Sequence, residues 1–206
     1  MPFLSLIIGA LLYSFIDSVF SNHKTVTSGL FLTFIVFVMI FPFRNQFFLS
    51  PQGLSEWVYG TVNPFGESME VAKHLAEVTN KNDFVFVAGS EPQIYYYAER
   101  KSSSRFDITY PLNLKTPYRE QYQIETISDL EKNPPTAMIV SQRDMSGLWN
   151  EGSPKIFVDY LFNIISKNYH VVGGFIWNND GTSGWQEQIT QEKIPYASLL
   201  LLVKNI

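Results

Sequence analysis

Residues 83–111 read DFVFVAGSEPQIYYYAERKSSSRFDITYP, and the fold turns on how they are parsed. Phe84 to Ala88 is an unbroken apolar run. A strand with one wet face would alternate, so a run of this length predicts a central strand covered on both faces. Gly89-Ser90-Glu91-Pro92 ends it. Pro92 suits the first turn of a helix, where its missing N–H would have no partner anyway. Ser90 or Glu91 can cap that helix, which continues through Gln93 to Arg100. Arg105 to Thr109 reads as a second strand, and Pro111 to Pro117 as a loop.

The same rhythm extends in both directions. Upstream, Glu67 to Thr79 places Met69, Ala72, Leu75, Ala76 and Val78 at helical spacing. Downstream, a polar helix runs from about Tyr118 to Lys132 and stops at Asn133-Pro134-Pro135. Thr136 to Ser141 is a third buried strand, and Gln142 to Gly152 a loop. Pro154 to Lys167 is an amphipathic helix, and Tyr169 to Trp177 a fourth strand. Asn178-Asn179-Asp180-Gly181 is turn material. Ser198 to Val203 is a last strand, expected to be antiparallel because it arrives by a long excursion. Helices alternating with strands predict the α/β class. The expected architecture is a three-layer, Rossmann-like domain with a mostly parallel sheet of about five strands and right-handed crossovers.

The N-terminal part belongs to a different solvent. Residues 1–48 carry three formal charges, Asp17, Lys24 and Arg44, whereas the rest of the chain carries 31. Two apolar runs, 2–20 and 28–43, are Phe- and Ile-rich without amphipathic alternation, as lipid-facing helices should be. A bilayer core of ~30 Å needs ~20 such residues. With SNHKTVT (21–27) as the turn, the expectation is a transmembrane helical hairpin over 1–48. An interfacial linker follows over 49–65, where Trp57 and Tyr59 suit the headgroup level. The α/β domain occupies 66–206. A signal peptide is the alternative for the first run, but it lacks a basic n-region and a small-x-small cleavage site. Asp17, near a helix end, fits the interface better than an intramembrane site. Lys24 and His23 in the turn place both ends outside the cytoplasm, and Arg44 votes the other way.

Composition excludes several classes. A net charge of −4 argues against a nucleic-acid protein, which would show a basic face. The absence of cysteine removes disulfides, thiolate metal sites and cysteine catalysis. The AGSEPQ turn has one glycine where a dinucleotide fingerprint needs three. No Walker loop, HExxH or GxSxG occurs, and His23, His74 and His170 make no metal pattern. No metal and no cofactor is expected.

The informative turn lies at the carboxyl end of the first strand, where open α/β sheets place ligands. Ser90, Glu91, Arg100 and Arg105 are the candidates for holding an anionic or sugar group, with the arginines as donors. Gly89, Pro92 and Tyr95 are its structural members. The competing reading is purely structural, with Glu91 capping the helix and Arg105 paired to it or to Asp107.

NPF at 63–65, a helix, and then DFVFVAGSEPQIYYYAERKSSSRFDITYPL resemble a region near the C-terminus of bacterial GT-C membrane glycosyltransferases. These are of the glycosyltransferase family 39 type, related to dolichyl-phosphate-mannose–protein mannosyltransferases. The resemblance rests on Gly89, Glu91, Pro92, Ile94, Tyr95, Arg105, Phe106, Tyr110 and Pro111, and covers roughly residues 30–180. It implies a last transmembrane helix leading into a small extracytoplasmic domain at a bacterial inner membrane. The implied partners are the bilayer, a transmembrane bundle or catalytic subunit, and a lipid-linked sugar or glycan acceptor, with no nucleic acid. The family's catalytic carboxylate lies on an early outer loop of a many-helix bundle that has no counterpart here, so no catalytic residue carries over. The expectation is an accessory domain, the C-terminal portion of a polyprenyl-phosphate-sugar-dependent transferase. An independent membrane-anchored module binding glycan or protein is the alternative. A small hydrolase or transferase at the Gly89–Glu91 edge has no nucleophile–base pair to support it.

Overall fold

The computed structural model describes residues 9–11, 13–15, 17–18, 24–60, 64–142, 148, 150–177 and 183–205. They divide into two compact units, Met1–Leu54 and Ser55–Ile206.

In the first unit, helix α1 (Lys24–Ile40) runs into a 3-10 turn (Phe41–Phe43) and helix α2 (Arg44–Phe48). Pro42 sits in that turn, where its missing N–H favours the tighter winding. Gly29–Phe48 has the length and composition to cross a membrane, and none of it is buried. Leu30, Leu32, Phe34, Phe37 and Met39 are all exposed. Among the described residues this is one such helix, where the sequence suggested a hairpin of two. Of the first apolar run, residues 9–11, 13–15 and 17–18 are helical, and the remainder lies outside the described residues. The helix has already begun at Lys24, inside the segment expected to turn. That segment holds neither Gly nor Pro to stop a helix.

The expected linker is also helical. Helix α3 spans Pro51–Tyr59. Ser50 explains it: its hydroxyl accepts the Gly53 N–H at 3.1 Å and its carbonyl accepts the Leu54 N–H at 2.8 Å. A serine cap followed by proline in the first turn starts a helix despite the glycine two residues on.

The second unit is a sheet with helices on both faces. In chain order its elements are α4 (Phe65–Glu77), β1 (Phe84–Ala88), α5 (Gln93–Ala98), β2 (Lys101–Ser102), α6 (Tyr110–Asn113), α7 (Arg119–Lys132), β3 (Ala137–Ser141), α8 (Ile156–Asn168), β4 (Tyr169–Trp177), β5 (Ser183–Glu187) and β6 (Ala197–Lys204). The continuous apolar runs work as expected. Val85, Val87, Ala137, Ile139, Leu199 and Leu201 pack under α4 and α5. Phe86, Ala88, Met138, Val140, Leu200 and Leu202 pack under α6, α7 and α8. Successive residues serve opposite faces, so the covered stretches of β1, β3 and β6 are apolar without alternation.

The strand order is β2-β1-β3-β6-β4-β5. Three layers are present, but the sheet has six strands and is mostly antiparallel. The β1–β2 and β1–β3 ladders are parallel, while β3–β6, β4–β6 and β4–β5 are antiparallel. The last strand does run antiparallel, as its long approach suggests. It inserts between β3 and β4 rather than adding to an edge, and so converts one expected parallel pairing into two antiparallel ones. The sixth strand, β5, carries the sequence SGWQE and has no apolar run to announce it.

Arg105–Thr109 is not a strand; the second strand is the two-residue β2. The open side of β1 is satisfied by three different partners, two donors and one acceptor. Ser103 N–H reaches Val85 O at 2.9 Å, the Tyr95 hydroxyl accepts Val87 N–H at 2.8 Å, and Thr109 N–H reaches Gly89 O at 2.8 Å. Tyr95 thus occupies the position a longer β2 would need, and the chain bulges away around it. Asp129 of α7 then holds the loop by accepting Ser104 Oγ at 2.9 Å and Arg105 N–H at 3.3 Å. The loop over Gln142–Gly152 and the turn at 178–181 fall mostly or wholly outside the described residues.

Candidate functional site

The GSEPQIY turn stands at the carboxyl end of β1, and the ends of its neighbours meet it there. Ser141 closes β3, and its hydroxyl donates to Glu91 Oε1 at 3.0 Å. Glu91 is only 3% exposed, and its other oxygen is buried without a hydrogen-bond partner. Gly89 presses on that oxygen: a Cβ added there would lie 2.1 Å from Glu91 Oε2 and 2.7 Å from Ser141 Cβ. Only glycine fits. Burial holds the Glu91 carboxyl up at about 7, against the opposing Ser141 hydrogen bond, and the nearby Glu67 raises it further.

Glu67, in the first turn of α4, is itself buried at this edge. Its Oε1 accepts the indole N–H of Trp177, the last residue of β4, at 2.7 Å. Gln93 of α5 donates to Ser68 Oγ of α4 at 2.9 Å, tying the two helices together. Glu67, Ser68, Gln93, Ser141 and Trp177 join Glu91 at one end of the sheet, although 110 positions separate Glu67 from Trp177. The available signal was positional: Ser141 and Trp177 each end an apolar run, and such ends converge when their strands point the same way.

The arginines do not join them. Arg100 is a cap. Its guanidinium donates to Ala76 O, Thr79 O and Ala98 O at 2.8–2.9 Å, and its Nε donates to Thr79 Oγ1 at 2.8 Å. These include the free carbonyls where α4 ends, which a helix leaves unpaired and a cation satisfies well. Arg105 is exposed and pairs with Glu125 of α7 through two hydrogen bonds, rather than with Glu91 or Asp107. It lies over the Phe106 ring at 4.2 Å. The Glu125 hydrogen bonds raise the Arg105 pKa and lower that of Glu125. Neither Ser90 nor Glu91 caps α5: Pro92 occupies its N-cap position with no side-chain cap hydrogen bond, and Ser90 is half-buried beside Glu91. Tyr95 is buried among apolar neighbours, which pushes its phenol up to about 12.

A cleft of about 380 Å³ opens at the opposite, amino end of β4, lined by His74, Glu77, His170, Trp185, Glu187 and Gln188 among others. His74 stacks on Trp185 at 4.2 Å and shares a 3.0 Å contact with Glu77. Gln188 holds a left-handed backbone, φ 51°, uncommon for a residue with a side chain. Among the described residues no three His, Asp or Glu side chains gather to hold a metal ion.

No protein family, curated protein or solved structure matches the chain.

Proposed function

We propose that this chain is a membrane-anchored, extracytoplasmic accessory domain of the kind that ends polyprenyl-phosphate-sugar-dependent glycosyltransferases. It holds no catalytic residue of its own. The observation that carries the reading is the internal use of the GSEPQIY turn. Gly89 makes room for Glu91, Glu91 meets Ser141, Pro92 opens a helix and Tyr95 returns to β1. The motif behaves as architecture, and its two arginines are engaged by Glu125 and by the end of α4. The exposed apolar stretch Gly29–Phe48 supports the anchor.

The test is to purify the 206-residue chain in detergent and assay sugar transfer from polyprenyl-phosphate sugars. No turnover is expected, and robust turnover would sink the proposal. An immunoblot of the native product with an antibody to residues 66–206 separates two forms of the reading. A band far above 23.6 kDa means a longer enzyme, and one at that size means a separate catalytic subunit.

The cleft beside Trp185 favours a second reading, an anchored module that binds glycan or protein. Loss of ligand binding on Glu187→Ala, with binding retained in Arg105→Ala, would select it.

A further inference from the structure

The carboxyl end of the sheet carries an exposed aromatic rim, of which the site above uses only Trp177. Trp177 ends β4, and Tyr196 precedes β6, one step beyond the Ile176–Ala197 pair. Tyr110 follows Thr109, which is bonded to Gly89. Tyr118 precedes α7, which packs back toward the start of β3, and Ile156 begins α8. All five are exposed, Tyr196 by 61%. The other exposed aromatics described after residue 60 are Tyr96, Tyr97 and Phe162, and they lie on α5 and α8.

From this geometry we infer that the carboxyl edge of the α/β domain docks onto the headgroup layer of a lipid bilayer through Tyr110, Tyr118, Trp177 and Tyr196. The inference rests on the membrane-anchor reading of Gly29–Phe48. Three observations select lipid as the occupant. Rings with a polar tip, rather than Leu or Val, dominate the rim, and tyrosine and tryptophan favour the membrane–water interface. Sixteen residues separate Phe48 from Phe65, so the domain is tethered near any bilayer the apolar helix crosses. Tyr59 of α3, exposed beside Trp57, touches Phe65 at the start of α4, ring to ring at 5.3 Å, which adds a ring pair two residues from Glu67, the partner of Trp177. Charge is not the attraction. The exposed Lys115, Lys155 and Lys193 stand among Glu120, Glu151 and Glu192, so the edge carries no strong field. Docking should therefore be nearly as strong on neutral as on anionic lipid.

The chain contains no cysteine, so single-cysteine variants can be labelled cleanly. Full-length Tyr110→Cys, Tyr196→Cys, Glu77→Cys, Phe162→Cys and Phe37→Cys, each carrying a fluorophore, are reconstituted in phosphatidylcholine vesicles containing brominated lipid. The same set is repeated with added phosphatidylglycerol. Labels at 110, 196 and 37 should be quenched several-fold more than those at 77 and 162 in both compositions. Quenching at 37 without quenching at 110 and 196 overturns the docking and leaves the anchor standing. No quenching at 37 removes the anchor, and the inference with it. Labels at 110 and 196 shielded from both brominated lipid and aqueous iodide would mean that protein covers the edge, which also overturns it.

Discussion

Glu91 lies with one oxygen on Ser141 and the other against Gly89, in a space too tight to admit a methyl group. Its folded pKa of about 7 lies above the ordinary 4.5, so the folded state binds the proton more tightly than the unfolded chain does. Between pH 4.5 and 7 stability therefore falls as pH rises, and above 7 the loss is complete. The loss is about 3 kcal/mol for a shift of this size. Glu91→Gln should flatten that stretch of the stability curve and leave the variant more stable than the native chain at pH 8, as measured by urea unfolding across pH. A second contrast separates the arginines. Arg100→Ala strips donors from the carbonyls of Ala76, Thr79 and Ala98, and should cost about 2–3 kcal/mol of unfolding free energy. Arg105→Ala breaks an exposed pair and should leave the urea midpoint almost unmoved. The sequence offered both residues as equal candidates, because spacing alone does not say which arginine will find a helix end and which will find a glutamate on another helix.

The elements divide by how local their cause is. β1 and β3 were legible because a strand covered on both faces is apolar along its covered stretch, as FVFVA and AMIV are. β5 was not, since SGWQE holds one large apolar residue and draws its order from the β4 ladder. Arg105–Thr109 has the alternation of a strand, through Phe106 and Ile108. It loses the ladder position to the Tyr95 hydroxyl, a residue that pattern assigns only to a helix. Tyr95→Phe should therefore act on the sheet, not on α5. With Val87 N–H left buried and unpaired, the variant should lose about 1–3 kcal/mol and show faster hydrogen exchange at Val87 than at its neighbours. The candidate site was legible as a place, the carboxyl end of β1. Glu67 and Trp177 entered it only through a topology that brings distant segments together.

At the scale of the molecule the chain consists of two units, and among the described residues the core clusters lie in the second. Removing residues 1–54 should leave a domain with the same cooperative unfolding by circular dichroism, recovered from the soluble fraction, whereas the anchor proposed above should make the full chain pellet with membranes. If the shortened chain still pelleted, some part of residues 55–206 would hold the membrane without the tether. The sheet order carries another consequence. β6, residues 197–204, is the strand through which β3 reaches β4. Among the described strands a ribosome makes it last, so until then β1–β3 and β4–β5 are two halves with open edges. The halves cannot be sealed until residue 204 has left the exit tunnel. A chain whose synthesis stops before β6 would present β3 and β4 with unpaired edges, which a protease could recognise and the joined sheet hides.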